Sequence, residues 1–436
     1  MNPPTNRAQA PDFCGPDHFS RRSFLQAVGL SGLTWLTPLA DLLALEAEKA
    51  PKGKPAKSLI FLWLAGGPSQ LETFDPHPGK KIAHGTTAID TSVKGVQFAS
   101  GLPRCAEIMN EITLVRSMTS QEGDHERASY NMKTGWRPNP TVVHPSIGAV
   151  VNHELPNPRV EIPSHVSILP DQWAARGGYF GAEYDAFQTG DPDKPVPDIA
   201  PAVNDGRDRR RKQNLAVIER GFARGRQPDL DARKTLHLNT IKRARKMMSS
   251  EQVAAFDVSQ ATKAERDAYG DSAFGRGCLA ARRLIETGVR CVEVTLKSFD
   301  SHVNNHETHA ARNADLDPAF PALIKDLKQR GLLNSTIVMC GGEFGRTPKL
   351  NPLEGRDHWP KGFSFALAGG GFRKGYVRGS TDPEGLSESP ENPVKVENLH
   401  ATVLHQLGID HLKELITPVR RPLTLSAGSV AHDLIA

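Results

Sequence analysis

Apolar residues along this chain gather into short unbroken runs rather than alternating ones. SLIFLWLAGG (from residue 58), EITLVRSM (111–118), SHVSIL (164–169), VRCVEVTL (289–296) and STIVMC (335–340) are all rich in branched apolar side chains. A run without polar alternation predicts a strand covered on both faces, the pattern of a parallel sheet. Between these runs, HPSIGAVVNHEL (144–155), GRGCLAARRLIETG (275–288) and DPAFPALIKDLKQRG (317–331) place apolar residues at helical spacing. Strands alternating with helices predict a doubly wound α/β fold, its mainly parallel sheet covered by helices on both faces. From about Phe187 to Ala273 the pattern changes: RDRRRKQN and IKRARKMMSSEQVAAF are charged and helical in period. This stretch is expected to be a largely helical insertion whose basic runs form a solvated face.

The N-terminal pattern carries an address. In SRRSFLQAVGLSGLTWLTPLADLLALEA, Arg21 and Arg22 precede Phe24 and Leu25, and a weakly apolar stretch broken by glycine follows. That is the layout of a twin-arginine export signal, with cleavage placed near Ala44 to Ala47. The stretch is too short and interrupted for a stable membrane span. Residues 1–50 are thus expected to be signal and leader, residues 51–436 a single α/β domain, and the location periplasmic or extracellular. The translocase of that pathway would be a partner during export.

Composition narrows the classes further. A net charge of +5 over 436 residues, not concentrated in any segment, argues against a nucleic-acid surface. Cys105, Cys278, Cys291 and Cys340 show no metal-ligand spacing, and Cys291 and Cys340 sit in apolar runs where buried free thiols are expected. No dinucleotide fingerprint is present, since GGGF near Gly369 lacks the required spacing.

Four polar clusters follow directly on predicted strands, and ligands in open α/β sheets bind outside the carboxyl ends of strands. GGPSQLETFDPHPGK offers Glu72 and Asp75 behind Gly66 and Gly67, or else only a capped glycine turn. SMTSQEGDHERASYNMKTGWRP places Asp124 and His125 at the start of a helix, with Asp124 as a competing N-cap. LKSFDSHVNNHETHA holds Asp300, His302, His306 and His309, a donor set suited to zinc, manganese or iron, with His309 read as exposed. EFGRTPKLNPLEGRDHWP supplies Glu343, Arg346, Arg356, Asp357 and His358. Its arginines suit paired donation to phosphate, sulfate or carboxylate, or else a buried ion-pair network between loops.

The stretches GGPSQLETFDP, HPSIGAVV, FDSHVNNH, EFGRTP, GRDHWP and VENLHATVLHQLGID, with the twin-arginine signal, resemble the exported bacterial family of unknown function numbered fifteen hundred and one. That family is similar to the sulfatase and alkaline phosphatase superfamily, which implies an α/β core and a metal-bound site. In sulfatases a nucleophilic cysteine or serine stands nine residues before a threonine-glycine pair; here the pair is Thr134–Gly135 and the position is His125. A histidine cannot become formylglycine. By the same resemblance, a divalent metal (zinc, manganese, iron or calcium) would be held by Asp300, His302, His306 and Glu343, with His358, Glu72 and Asp75 as further ligands. Arg346 and Arg356 would grip the non-bridging oxygens of a phosphate or sulfate ester, and His125 would attack or relay a proton. The ligand would be a small anionic ester or a sulfated or phosphorylated glycan. The alternative is a non-catalytic anion-binding, glycan-binding or scaffold protein on the same fold.

Overall fold

The computed structural model describes residues 54–200, 203–223 and 237–436. The twin-arginine pair, the leader, its cleavage region and Cys14 lie outside the described residues. A nine-stranded sheet is built from β1 (Ser58–Leu64), β2 (Ile112–Thr119), β3 (His165–Ile168), β4 (Phe187–Thr189), β5 (Cys291–Leu296), β6 (Thr336–Gly341), β7 (Phe363–Gly369), β8 (Tyr376–Arg378) and β9 (Val394–Lys395). The order is β8-β2-β7-β6-β1-β5-β3-β4, with β9 also paired to β2. All neighbours run parallel except β7, which lies antiparallel between β2 and β6.

β1 shows why its sequence is unbroken. Leu59, Phe61 and Trp63 point into one core, while Ile60, Leu62 and Leu64 point into the other. Because side chains alternate across a strand, both faces must be apolar when both are covered. The first core is closed by α2 (Ile147–Glu154) and α5 (Val396–Gln406), and Met132 joins it from α1 (His125–Thr134). The second is closed by α3 (Ala273–Thr287) and α4 (Asn305–Gln329).

Three elements depart from the sequence expectation. β7 was not foreseen, although FSFALAG is almost entirely buried. Helix α4 begins at Asn305, a dozen residues earlier than the apolar period indicates, and continues through Pro318 and Pro321. Its first turns present Asn305, His309 and Asn313 to the interior, so the inward stripe at i, i+4 spacing is polar and invisible to an apolar count. The expected helical insertion opens with a strand, β4, which extends the sheet edge beside β3. The helices Asp205–Ala223, His237–Met248 and Lys263–Tyr269 follow it. All four described cysteines are buried free thiols.

Candidate functional site

Because β1, β2, β5 and β6 run the same way, the loops after all four emerge at one edge of the sheet. They deliver Gly66–Gly67, His125, Asp300 and Glu343 in turn. His358 reaches the same edge through a two-stranded ribbon in which His358–Trp359 pairs with Gly345–Arg346, just before the reversed strand β7. His125 is the first residue of α1, and the Asp124 side chain caps that helix by accepting from the Arg127 N–H at 3.1 Å. Gly66 has φ +111°, and a Cβ there would meet the Asp300 backbone nitrogen at 2.5 Å. Only glycine allows the β1 and β5 loops to approach this closely.

The His125 imidazole lies between two carboxylates. Nδ1 is 2.7 Å from Glu343 Oε1, which also accepts from the Gly66 N–H at 3.0 Å. Nε2 is 3.2 Å from Asp300 Oδ2, an ion-pair contact outside regular hydrogen-bond geometry. Burial alone would depress the His125 pKa; Asp300 and Glu343 overturn that and hold it at about 9. Asp300 Oδ1 is crowded by Arg346 at 2.6 Å, His302 Nε2 at 3.2 Å and His358 Nε2 at 3.4 Å. Burial would raise the Asp300 pKa, but His125, His358 and Arg346 outweigh it and keep the carboxyl well below the usual carboxylate range. His358 Nδ1 faces the Gly123 carbonyl at 2.7 Å and therefore donates to it, leaving Nε2 toward Asp300. His302 stands one step further out, bridging Asp357 at 3.0 Å and His358 at 2.9 Å.

Among the described residues, one group has metal-ligand spacing: His125, Asp300 and His358 offer donor atoms within 4.8 Å of one another. Glu343 Oε2 beside them is buried and without a partner. Two imidazoles and a carboxylate form a donor set for a borderline divalent cation. The donor atoms of His125, Asp300 and His358 lie close enough for a cation to take the place of the His125 proton between them, so the residues present fit a metal.

The other expected site residues lie elsewhere. His306 is 3.6 Å from Glu72 and does not join the His125 group. Glu72 is buried against Arg356 at 3.0 Å and Thr86 at 3.1 Å. Burial raises the Glu72 pKa, but Arg356 and its other neighbours more than reverse this and lower it to about 2. Asp75 accepts from the Thr381 N–H and hydroxyl at 2.9 and 2.7 Å and pairs with Arg116, so it serves as a loop anchor and not as a metal ligand. His309 is not exposed but 1 % accessible, accepting from the Ser69 N–H and donating to the Asn305 carbonyl.

Arg346 and Arg356 need the largest correction. Both are fully buried. Arg346 donates to the carbonyls of Gly66, Gly67 and Arg356 besides Asp300. Arg356 donates to the carbonyls of Thr347, Pro348 and Ile82 besides Glu72. Neither guanidinium has a fork left for a substrate's oxygens; each fastens strand-end loops together.

Sequence reasoning missed the aromatic wall. The Trp173 indole stacks on His125 at 5.9 Å and 14°, and Phe344 packs at 5.0 Å from His125 and 4.4 Å from His358. A signal existed for Trp173, since DQW follows the β3 run at the same edge as the four clusters.

No helix among the described residues is long and apolar enough to cross a membrane. Comparison with curated proteins finds no match. Among solved structures, the PsFucS1 sulfatase from Pseudoalteromonas sp. is similar at 12% identity and a TM-score of 0.39, over 85% of this chain and 70% of that one. The alkaline phosphatase from the Antarctic bacterium TAB5 is similar at 12% identity and a TM-score of 0.37, over 81% and 99%. The lipoteichoic acid synthase LtaP from Listeria monocytogenes is similar at 12% identity and a TM-score of 0.35, over 81% and 72%. Likenesses this distant leave the chemistry to be argued from the chain's own residues. The family described as "Protein of unknown function (DUF1501)" matches residues 56–435, and the chain belongs to that family.

Proposed function

We propose that this protein is an exported, metal-dependent hydrolase of phosphate or sulfate esters. The observation that carries this reading is the convergence of His125, Asp300 and His358 at the carboxyl edge of the sheet, with donor atoms within 4.8 Å of one another. Those three residues would hold the metal, and Glu343 and His302 adjoin them. A divalent cation bound there supplies Lewis-acid polarisation of an ester oxygen.

The remaining roles belong to the chain itself. Glu343 accepts from His125 Nδ1 and turns Nε2 inward, as a carboxylate behind a ligating imidazole does. Gly123 performs the same service for His358 through its carbonyl. Arg346 orients Asp300 and locks the Gly66–Gly67 turn beneath it. Trp173 and Phe344 wall the imidazoles and limit water around them. The twin-arginine layout of residues 20–25 supports export.

One observation favours a second reading, a binding or scaffold protein without catalysis. Asp300 and Glu72 are each paired with a buried arginine, which a purely structural network also requires. Elemental analysis of the purified protein and of an Asp300→Asn, His358→Gln variant separates the two. Near-stoichiometric metal that is lost in the variant supports the hydrolase and justifies a screen of phosphate and sulfate esters. Metal-free protein after reconstitution removes the hydrolase reading and leaves the second.

A further inference from the structure

A cavity of about 640 Å³ is lined in part by the loop that follows β2. Thr119, Ser120 and Gln121 line it, and two residues on, the Gly123 carbonyl accepts from His358 Nδ1 at 2.7 Å. One loop therefore forms the cavity wall and orients a residue of the proposed metal site.

Its base is a fixed aromatic platform. The Trp136 indole stacks on His144 at 5.0 Å and 6°. His144 is buried and locked in place by the Tyr130 hydroxyl, which lies 2.8 Å from Nδ1 and accepts from the His144 N–H at 2.7 Å. The indole N–H of Trp136 donates to the Leu425 carbonyl at 3.4 Å and its backbone N–H to the Thr134 hydroxyl at 3.1 Å, so the residue is positioned before any ligand arrives. A half-exposed indole with an occupied back face offers its other face for stacking.

The rim is cationic. Arg137, Lys395 and Arg421 line the cavity and are exposed, with the Glu397 carboxylate among them; Arg137 is also paired with Glu122 at 2.5 Å, so Lys395 and Arg421 carry most of the uncompensated charge. Between them stand neutral hydrogen-bonding side chains, among them Asn131, Asn139 and Thr141. A lone tetrahedral anion would fill a small part of this volume and would need converging donors, whereas these cations are distributed around the cavity. Flat apolar stacking, many neutral hydroxyl and amide groups, and spaced positive charge together match a chain of pyranose rings bearing anionic substituents.

We propose that this cavity is a binding site for an anionic oligosaccharide, with a sugar ring stacked on Trp136 and its sulfate or carboxylate groups met by Arg137, Lys395 and Arg421. It deepens the ester-hydrolase reading, on which it rests for its link to the neighbouring site: the ester would be carried by the glycan that the cavity grips.

The test is calorimetric titration with a heparin-derived hexasaccharide, a neutral cello-oligosaccharide of equal length and a single-stranded oligonucleotide of matched charge. The hexasaccharide is expected to bind the wild type, and to bind a Lys395→Ala, Arg421→Ala variant at least about tenfold more weakly. Trp136→Ala is expected to weaken it similarly, and thermal melts of both variants confirm folding. Repeating the titration with Asp300→Asn separates this proposal from the hydrolase. Unchanged binding in that variant supports the cavity whether or not any ester is cleaved. No binding to the wild type, equal binding to the double variant, or equal affinity for the oligonucleotide overturns the proposal, even if ester hydrolysis is found.

Discussion

Arg346 offers the sharpest separation between a loop fastener and a transition-state clamp. Replacing it with methionine keeps an apolar stem of similar length and removes every donor. Two buried carbonyls, those of Gly67 and Arg356, and the partly buried carbonyl of Gly66 then lose their hydrogen bonds. At about 1–2 kcal/mol for each unsatisfied group, the variant should lose about 3–6 kcal/mol. Asp300 adds little to this, because its side chain is 44% exposed and keeps His125, His302 and His358 nearby. A loss of that size is a large fraction of a domain's usual stability of about 5–15 kcal/mol. Arg346→Lys should fall between wild type and methionine, since one ammonium cannot reach acceptors spread along a planar fork.

Urea denaturation of metal-free protein, followed by tryptophan fluorescence, measures this directly. Metal-free material matters because a cation bound at the neighbouring site would stabilise every variant by mass action. If Arg346→Met denatures within about 1 kcal/mol of wild type, the fastener assignment fails, and the arginine returns to contention as a substrate-binding group.

Three further outcomes follow from the same geometry. Burial holds His165, His309 and His400 at a pKa of about 4. In the unfolded chain they titrate near 6.5, so stability is full above about pH 6.5 and falls as pH drops toward 4. Near pH 5 each would cost about 2 kcal/mol, and a urea midpoint unchanged between neutral pH and about pH 5 would contradict their burial as neutral rings. Gly66→Ala forces a Cβ to within 2.5 Å of the Asp300 nitrogen at φ +111°, and should cost at least about 2 kcal/mol in thermal melts; a neutral effect would contradict the contact between the β1 and β5 loops. Metal titration should show His125→Gln losing at least about a hundredfold in affinity, while His302→Gln loses about tenfold or less, because His302 reaches the group only through His358 and Asp300. The reverse ranking would reassign the ligands.

Much of the fold was legible because it rests on local signals. The five unbroken apolar runs became β1, β2, β3, β5 and β6, whose residues are buried on both faces. The rule that ligands gather at carboxyl strand ends then located the site without any knowledge of the strand order. What escaped were elements whose identity depends on distant partners. β8 and β9 are two or three residues long and exist only because β2 offers an edge to pair with. Two residues of the polar inner stripe of α4 are met by groups from the β1 loop, the Ser69 N–H donating to His309 and the Glu72 carbonyl accepting from Asn313.

The site divides along the same line. FDSHVNNHETHA places Asp300 and three histidines within ten residues, and the sequence alone treats Asp300, His302 and His306 as one ligand set. The chain separates them at Asn304, which adopts φ 47° and starts α4. Residues before this turn, Asp300 and His302, stay at the strand end. Those after it are carried off along the helix, His306 to Glu72 and His309 beneath Ser69. The place they leave beside Asp300 is taken by His358, 58 residues away in sequence. The arginines show the converse. Their type indicated anion binding, but their role was decided by carbonyls from two long connections, residues 66–82 and 347–356, converging on two guanidinium groups. Burying the Arg356–Glu72 pair and the Arg346 guanidinium is costly compared with apolar replacements, so their presence at one edge implies a demand for fixed loop geometry. What they fix is the turn and the carboxylate that frame His125, whose Nε2 stays buried and 3.2 Å from Asp300.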